Sequence, residues 1–237
     1  MIPKKIHYCW FGRSPMPEFA FRCIDSWHKF MPDYDFRLWN EDNFDVESWL
    51  YAKEAYECGK FAFVSDVARL KALKDEGGLY FDVDFMALKA FDDLLKYRAF
   101  AGFEGSKFHP VMMGVLGSEP DGDWVSEQLE SYKNRHFLVE GREDLTTNVK
   151  YISEQMQKNG FVPNGEEQEY LDLHIFPVEY FCPRLTTGEY CKTEHTYCEA
   201  LVRSSSWASE NWKSRVLKYF SPSMRTKLIL LKRKIIG

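Results

Sequence analysis

The sequence predicts an α/β fold with a largely parallel sheet, and three observations support this prediction. Short apolar runs of strand length alternate with segments of helical apolar spacing, in the order strand, helix, strand, helix, strand. The chain has 237 residues, 45% of them hydrophobic, and can therefore bury a full core. It shows no internal repeat and no low-complexity linker. We therefore expect one large domain over residues 1–210, followed by a tail over residues 211–237.

The first part of the chain supplies five predicted elements. Residues 4–12 (KKIHYCWFG) alternate apolar side chains and stop at a glycine, which is typical of a strand that ends in a loop. Residues 18–30 have helical apolar spacing and are closed by Pro32, and YDFRLWNEDNF is typical of a second strand. The segment SDVARLKALKDEGG predicts a helix of about three turns that begins at a capping serine, Ser65, and ends at glycines. The run LYFDVDF then predicts a third strand.

The remaining elements have weaker patterns. YRAFAGFE, VMMGVLG and HIFPVEYFCP are expected to be strands, and DWVSEQLESYKNR and LTTNVKYISEQMQKNG are expected to be helices.

Charge and cysteine content limit the possible functions. The formal net charge is −5, which argues against a nucleic-acid-binding protein. The N-terminus lacks the apolar region of a signal peptide, and no run approaches the ~18 apolar residues of a membrane span. We therefore expect a cytoplasmic protein. The six cysteines form no CxxC pair, so we expect reduced and mostly buried thiols rather than a zinc site or a disulfide framework.

The third predicted strand carries two acidic residues, Asp82 and Asp84, in an otherwise apolar run. Alternate side chains of a strand share a face, so Tyr80, Asp82 and Asp84 would line one face and the apolar residues the other. Two adjacent carboxylates repel each other, and a divalent cation such as Mg²⁺ or Mn²⁺ is the partner that suits them. The alternative is that both aspartates lie exposed at the strand end and bind nothing. The position after a helix, at a strand end of an α/β sheet, favours a ligand site.

A second pair of charged residues lies just before this strand. Asp66 and Arg69 are three residues apart and share one helix face. An ordinary surface ion pair is one interpretation. The other is a hydroxylated substrate, because arginine and aspartate can together hydrogen-bond sugar hydroxyls.

These motifs resemble a known enzyme family. The ordered set IPKKIHYCWFG, FVSDVARLKALKDEGGLYFDVD, LTT, PVEYFCP and SSSW is similar to the DXD-containing sugar transferases of the GT-A fold, a Rossmann-like nucleotide-diphospho-sugar transferase fold. The resemblance is to glycosyltransferase family 32, which includes bacterial capsular-polysaccharide transferases and fungal Golgi mannosyltransferases. It covers residues 2–207 and is most specific from Phe63 to Asp84.

The resemblance implies a role for several residues. Asp84 would ligate Mn²⁺ or Mg²⁺ directly, while Asp82 would reach the ribose or donor sugar and the metal through water. Asp66 and Arg69 would contact the donor sugar. The remaining expected donor-binding residues are Trp10, which would stack on the nucleobase or alternatively lie in the core, and Tyr80, Ser206 and Trp207.

The resemblance also implies a reaction. A metal on the diphosphate stabilises the leaving group as the anomeric bond breaks. Relatives retain the anomeric configuration, and no nucleophile can be selected from the sequence, so we expect front-face substitution without a covalent intermediate. The implied partners are a nucleotide-sugar donor and a glycan or lipid-linked acceptor in capsular polysaccharide or lipopolysaccharide synthesis. A UDP-hexose is preferred as donor because the chain begins at its first strand, as the bacterial members do.

One motif departs from the family. Relatives carry TYxxHH before SxSW, and one histidine completes the metal site, whereas this chain reads TYCEALVRSSSW over residues 196–207. Ser204, Ser206 or Glu199 could replace that ligand, and His195 lies just upstream but is more simply a surface residue. A catalytically impaired sugar-nucleotide-binding relative is therefore the main alternative. A DxD phosphatase is a weaker one, because that motif normally lies near the N-terminus.

The tail suggests a membrane contact. From Asn211 onward there are eight Lys and Arg and no Asp or Glu. Residues 1–210 therefore hold the other 23 of the 31 basic residues and all 36 acidic residues. Met224, Leu228, Leu231 and Ile235 fall on one helical face beside these bases, a pattern typical of an interfacial helix on an anionic membrane. We therefore expect residues 213–237 to form a basic amphipathic helix at the inner face of the cell membrane. The alternative is a helix packed on the acidic body.

Overall fold

The computed structural model describes residues 1–105 and 110–201, and these residues form an α/β fold. The described helices are α1 (Glu18–Phe30), α2 (Leu50–Glu57), α3 (Phe61–Glu76), α4 (Asp123–Ser131) and α5 (Asn148–Lys158). The described strands are β1 (Lys5–Cys9), β2 (Asp35–Trp39), β3 (Gly78–Phe81), β4 (Phe85–Ala87), β5 (Ala99–Gly102), β6 (Val115–Ser118), β7 (Leu138–Val139), β8 (Arg142–Glu143), β9 (Gln168–Tyr170), β10 (Leu173–Phe176) and β11 (Cys198–Ala200). The predicted α/β class is confirmed.

The central sheet has seven strands in the order β2-β1-β3-β6-β5-β10-β9. β1 is parallel to β2 and β3, and β10 is parallel to β5, whereas β6 is antiparallel to both β3 and β5. Because β6 separates two strands that it opposes, β3 and β5 run in the same direction. The carboxyl ends of β1, β2, β3, β5 and β10 therefore lie at one edge of the sheet, where open α/β sheets bind ligands.

Both faces of the sheet are covered. Buried residues of α2, α3, α4 and α5 pack in one core cluster, together with inward-facing residues of β1, β3, β5, β6 and β10. Residues of α1, β4 and β11 form a second core cluster against the opposite face. No helix in the described part of the chain combines the length and apolar character needed to cross a membrane.

α1 and β2 were predicted accurately, and the start of α3 was not. α1 spans the predicted residues 18–30, and β2 lies within the predicted second strand. The prediction that a helix of three turns begins at Ser65 is wrong, because α3 begins at Phe61 and has 16 residues. The Ser65 hydroxyl does not cap the helix; it donates to the Phe61 carbonyl oxygen one turn earlier, at 3.2 Å.

The predicted strand LYFDVDF is also corrected. β3 ends at Phe81, and residues 82–84 form a turn before β4. The Phe85 amide donates to the Asp82 carbonyl at 3.0 Å, which closes this turn. The prediction that Asp82 and Asp84 share one face of a strand is therefore wrong, and the turn gives each carboxylate different surroundings. We call residues 82–84 the DXD turn.

A buried histidine joins β1 and β2 to the residue that precedes β3. His7 on β1 is fully buried, its Nε2 lies 2.8 Å from the Gly77 carbonyl oxygen, and its Nδ1 accepts from the Trp39 indole at 2.9 Å. Because Nδ1 accepts and Nε2 donates, the imidazole is neutral. Burial lowers the pKa of His7 to about 4.

This burial makes the fold sensitive to acid. Between pH 6.5 and about 4 the unfolded chain takes up a proton that folded His7 refuses, so the free energy of unfolding should fall as the pH falls. The contribution of His7 is about 3 kcal/mol across that window. Urea denaturation at pH 7.5, 6, 5 and 4.5 should show a steeper loss in the native protein than in His7→Gln. The exposed His195 provides the control: a His195→Gln variant should follow the native curve, and parallel curves for native and His7→Gln would contradict the prediction.

Candidate functional site

The loop after β1 is fixed against two other segments at the ligand edge. Gly12 has φ +91°, and a Cβ at this position would lie 2.3 Å from the ring of Phe61, so only glycine fits here. The Gly12 amide donates to a carboxylate oxygen of Glu41 at 2.6 Å. The loops that follow β1 and β2 are thereby joined to each other and to the start of α3.

Trp10 lies at the beginning of this loop. Its backbone amide donates to the Trp39 carbonyl at 2.9 Å, which extends the ladder between β1 and β2, and its indole donates to the Ser14 carbonyl at 2.6 Å. The side chain is half-buried and belongs to neither core cluster. The indole is thus held in place while part of its surface stays open, and the stacking role remains a prediction.

α3 presents Asp66 and Arg69 on one buried face. Their side chains are only 8% and 5% exposed, and Arg69 Nη2 lies 3.0 Å from Asp66 Oδ1. The interpretation as a surface ion pair is therefore wrong. Burial raises the pKa of Asp66 to about 7, although the adjacent Arg69 charge acts to lower it.

Arg69 also connects α3 to the DXD turn. Its Nη1 lies 3.4 Å from Asp82 Oδ2 and donates to the Met113 carbonyl oxygen. Its guanidinium carbon is 4.7 Å from the centre of the Tyr80 ring, and the Tyr80 hydroxyl donates to Asp82 Oδ1 at 2.8 Å. Four predicted site residues therefore form one network. Tyr80 is 1% exposed, so its observed contact is with Asp82.

Asp84 has a different environment from Asp82. It is 9% exposed, and in the described ranges it forms no ion pair with a lysine, arginine or histidine. Burial, and secondly the negative charge of Asp82, raises the pKa of Asp84 to about 7. A buried carboxylate beside a second carboxylate, without a cation from the protein, fits a hard divalent ion such as Mg²⁺ or Mn²⁺.

The third metal ligand is not evident among the described residues, where no group of three His, Cys, Asp or Glu could hold a metal ion. Glu199 on β11 accepts from the Tyr190 hydroxyl at 2.5 Å. His195 is an exposed residue whose ring stacks on Tyr180, in agreement with its interpretation as a surface histidine.

The other proposed ligands follow the described part of the chain. Ser204, Ser206 and Trp207 lie outside the described residues, as does the tail from residue 211 onward. The Leu201 amide donates to the Asp84 carbonyl at 2.8 Å, so the chain is still attached to the DXD turn three residues before Ser204.

One candidate was missed at the sequence level. Glu104 lies two residues beyond the end of β5, at the same sheet edge as the DXD turn. Burial raises the pKa of its carboxyl group, and within the described ranges its side chain has no hydrogen bond or ion pair. The available signal was an acid directly after an apolar strand, AFAGFE, the same signal that identified Asp82.

The chain is similar to several known proteins. Residues 17–101 match the model of the family described as "Glycosyltransferase sugar-binding region containing DXD motif". Glucan organizing enzyme 1 from Cryptococcus neoformans var. grubii is 27% identical over 179 residues, which are 68% of this chain and 43% of that protein. The chain thus spans less than half the length of this curated relative.

Solved glycosyltransferases are also similar to the chain. A glycosyltransferase involved in glycosylation of the major capsid of PBCV-1 has 13% identity and a TM-score of 0.47, over 86% of this chain and 96% of that one. The galactosyltransferase LgtC, solved with donor and acceptor sugar analogues, has 12% identity and a TM-score of 0.43, over 84% of this chain and 87% of that one.

The family match contains both candidate segments, because it covers the Asp66–Arg69 helix face and the DXD turn. The resemblance to the DXD-containing sugar transferases is thereby confirmed over residues 17–101.

Proposed function

We propose that the protein is a metal-dependent, retaining glycosyltransferase that moves a hexose from a nucleotide-diphospho-sugar, with UDP-hexose preferred, to a glycan or lipid-linked acceptor. The observation that carries the proposal is the contrast between the two aspartates of the DXD turn. Asp82 is held by Arg69 and Tyr80, whereas buried Asp84 has no cationic partner among the described side chains. Such an arrangement suits one carboxylate that contacts the donor and one that ligates a metal.

The predicted site residues have the following roles in this proposal. Asp66 and Arg69 hydrogen-bond hydroxyls of the donor sugar from the buried face of α3. Asp82 reaches the ribose or donor sugar, and Asp84 holds Mn²⁺ or Mg²⁺. When bound there, the metal supplies positive charge that stabilises the leaving diphosphate. Trp10 stacks on the nucleobase, and Ser206 and Trp207 contact the diphosphate.

The stereochemical course is proposed to be front-face substitution without a covalent glycosyl-enzyme. The residue to test is Glu104, because its half-buried carboxylate lies at the ligand edge, where a double displacement would need a nucleophile. In the front-face course Glu104 stays unmodified throughout turnover.

A second candidate function is supported by one observation. The segment TYCEALVRSSSW lacks the histidines that the family resemblance implies for the metal site, which favours a relative that binds sugar nucleotides without efficient turnover. The family match supports both candidates over a DxD phosphatase.

The cellular setting is proposed from the tail. Residues 213–237 bind the anionic inner face of the cell membrane and keep the transferase beside a lipid-linked acceptor of capsular polysaccharide or lipopolysaccharide synthesis. The eight bases of the tail supply the attraction to anionic lipid.

Donor hydrolysis tests the reaction class. We expect Mn²⁺-dependent hydrolysis of one member of a panel of UDP- and GDP-sugars, with a loss of about 100-fold or more in Asp84→Asn, because the metal loses its direct ligand. Mn²⁺ with nucleotide should raise the Tm of the native protein but not that of Asp84→Asn. The exposed Asp25 on α1 gives a matched control, and Asp25→Asn should behave as the native protein does.

The outcomes separate the two candidate functions. A Tm shift without turnover of any donor would favour the impaired binding protein. If the protein shows no Tm shift and no turnover, the metal site itself is contradicted.

Covalent labelling tests the stereochemical course. After incubation with Mn²⁺ and a 2-fluoro analogue of the active donor, which slows breakdown of any glycosyl-enzyme, the intact-protein mass should show no added hexose. The matched variant is Glu104→Gln. An adduct that forms on the native protein and is absent from Glu104→Gln would replace front-face substitution with a double displacement.

Vesicle sedimentation tests the membrane contact. Reversing Lys232, Arg233 and Lys234 to glutamate should weaken binding to anionic vesicles by about 100-fold, because each base near the surface contributes about 1 kcal/mol. The same charge change at Lys133, Lys150 and Lys158 in the body is the matched control and should have little effect. Equal losses in both triple variants would contradict a specific role for the tail.

A further inference from the structure

A short hairpin that follows β10 presents an exposed aromatic side chain. Over residues 183–191 the chain turns back on itself, and the Cys191 amide donates to the Pro183 carbonyl oxygen at 2.8 Å. Arg184 and Tyr190 form an antiparallel bridge inside this closure. Tyr190 is 48% exposed, although a tyrosine of a folded domain usually packs most of its ring. We call residues 183–191 the tyrosine hairpin.

The Tyr190 ring is held in place while it is exposed. Its hydroxyl donates to a carboxylate oxygen of Glu199 on β11 at 2.5 Å, and the Arg184 guanidinium carbon lies 5.3 Å from the ring centre. The backbone bridge and the hydroxyl therefore fix the two ends of the residue. A ligand that packs on such a ring has little side-chain freedom to remove, so the entropic cost of binding is small.

Two hydrogen bonds place the tyrosine hairpin at the ligand edge of the sheet. The Thr186 amide donates to the carbonyl oxygen of Gly105, three residues beyond the end of β5, at 2.6 Å. On the other side, Glu199 belongs to β11, and the Leu201 amide two residues later donates to the Asp84 carbonyl at 2.8 Å. The hairpin is thus attached both to the loop after β5 and, through β11, to the DXD turn.

The groups around the exposed ring suit a neutral sugar. The C–H bonds on one face of a pyranose are apolar, and they pack on the electron-rich face of an aromatic ring. Arg184 is exposed and, within residues 1–105 and 110–201, forms no ion pair, so its donors are available to sugar hydroxyls. Tyr190 occupies only one carboxylate oxygen of Glu199, which leaves the other as an acceptor. Because Glu189 and Glu199 accompany Arg184, the surface has no excess of positive charge that would select an acidic sugar.

We propose that the tyrosine hairpin binds the acceptor, with Tyr190 stacked on a neutral pyranose of the acceptor glycan. Arg184 and Glu199 hydrogen-bond the hydroxyls of that sugar. The assignment of this sugar to the acceptor rests on the proposed function, whereas saccharide binding at Tyr190 is a property of the hairpin alone.

The two faces of the sheet separate this sugar from the donor. α3, which carries Asp66 and Arg69, packs on one face, and β4 and β11 pack on the opposite face. The acceptor sugar therefore approaches the DXD turn from the β11 side and the donor sugar from the α3 side.

Saturation-transfer NMR tests sugar binding without any donor. The probes are the methyl α- and β-glycosides of glucose, galactose and mannose. At least one probe should receive saturation from the native protein, most strongly on the protons of one pyranose face. Its Kd should rise about tenfold in Tyr190→Ala and stay within about twofold in Tyr190→Phe, which keeps the ring.

The matched control is Tyr97→Ala. Tyr97 is a partly exposed tyrosine two residues before β5, at the opposite edge of the sheet, and its removal should leave probe binding unchanged. Arg184→Gln gives a second variant that leaves the ring in place, and it should weaken binding by about threefold through the lost charged donor. Binding that is unchanged in both Tyr190→Ala and Arg184→Gln, or a native protein that binds none of the probes, would overturn the proposal. Equal losses in Tyr190→Ala and Tyr190→Phe would overturn the stacking role.

Transfer kinetics test the assignment to the acceptor. With the active donor and the best-bound glycoside, Tyr190→Ala should raise the acceptor KM about tenfold and leave donor hydrolysis unchanged. An equal loss of donor hydrolysis would overturn the acceptor assignment. If the native protein turns over no donor, the proposed function fails, and the NMR measurement still decides whether Tyr190 binds a sugar.

Discussion

The candidate site depends on the burial of one guanidinium group. Taking Arg69 out of water costs several kcal/mol unless its donors find partners. Asp66 and Asp82 supply the negative charge, the Met113 carbonyl accepts a further hydrogen bond, and the Tyr80 ring covers one side of the group. Because these partners come from α3, the DXD turn, the segment before β6 and β3, satisfying one arginine fixes four segments at the ligand edge of the sheet.

This constraint separates the two aspartates of the DXD turn. The side chain of Asp82 is 35% exposed and oriented by Arg69 and the Tyr80 hydroxyl, so it is both fixed and accessible. Asp84 is buried, and its backbone carbonyl accepts a hydrogen bond from the Leu201 amide, directly after β11. A continuous strand would have given both carboxylates the same face and similar surroundings. The turn gives them different electrostatic environments.

The sequence predicted those features that depend on local patterns. α1 follows from helical apolar spacing, and the α/β class follows from the order of elements. The errors arise where tertiary contacts override the local pattern. Ser65 is a good capping residue, but α3 extends to Phe61 because that turn packs on α2 and on Gly12. The DXD turn retains strand-like alternation, so its sequence gives no sign that β3 ends at Phe81.

Contacts between residues distant in the chain could not be predicted from sequence patterns, because those patterns describe only neighbouring residues. Asp66 and Arg69 were correctly paired because they are three residues apart on a helix, but their burial depends on what packs over α3. Glu104 is placed at the ligand edge only by strands that are distant from one another in the chain. The resemblance to a family supplied roles for residues in shared motifs and had nothing to add about residues outside them.

Asp66 and Asp84 are two buried carboxylates whose negative charge is stabilised in different ways. Burial raises the pKa of each to about 7, so each needs positive charge to remain ionised at neutral pH. Asp66 receives that charge from inside the chain, from Arg69. Asp84 forms no ion pair with a lysine, arginine or histidine in the described ranges; the Arg69 charge acts to lower its pKa as well, and a cation from solution would stabilise the carboxylate further. The carboxylate that the protein stabilises itself is suited to hold a neutral sugar, and the carboxylate left unpaired is suited to bind a metal.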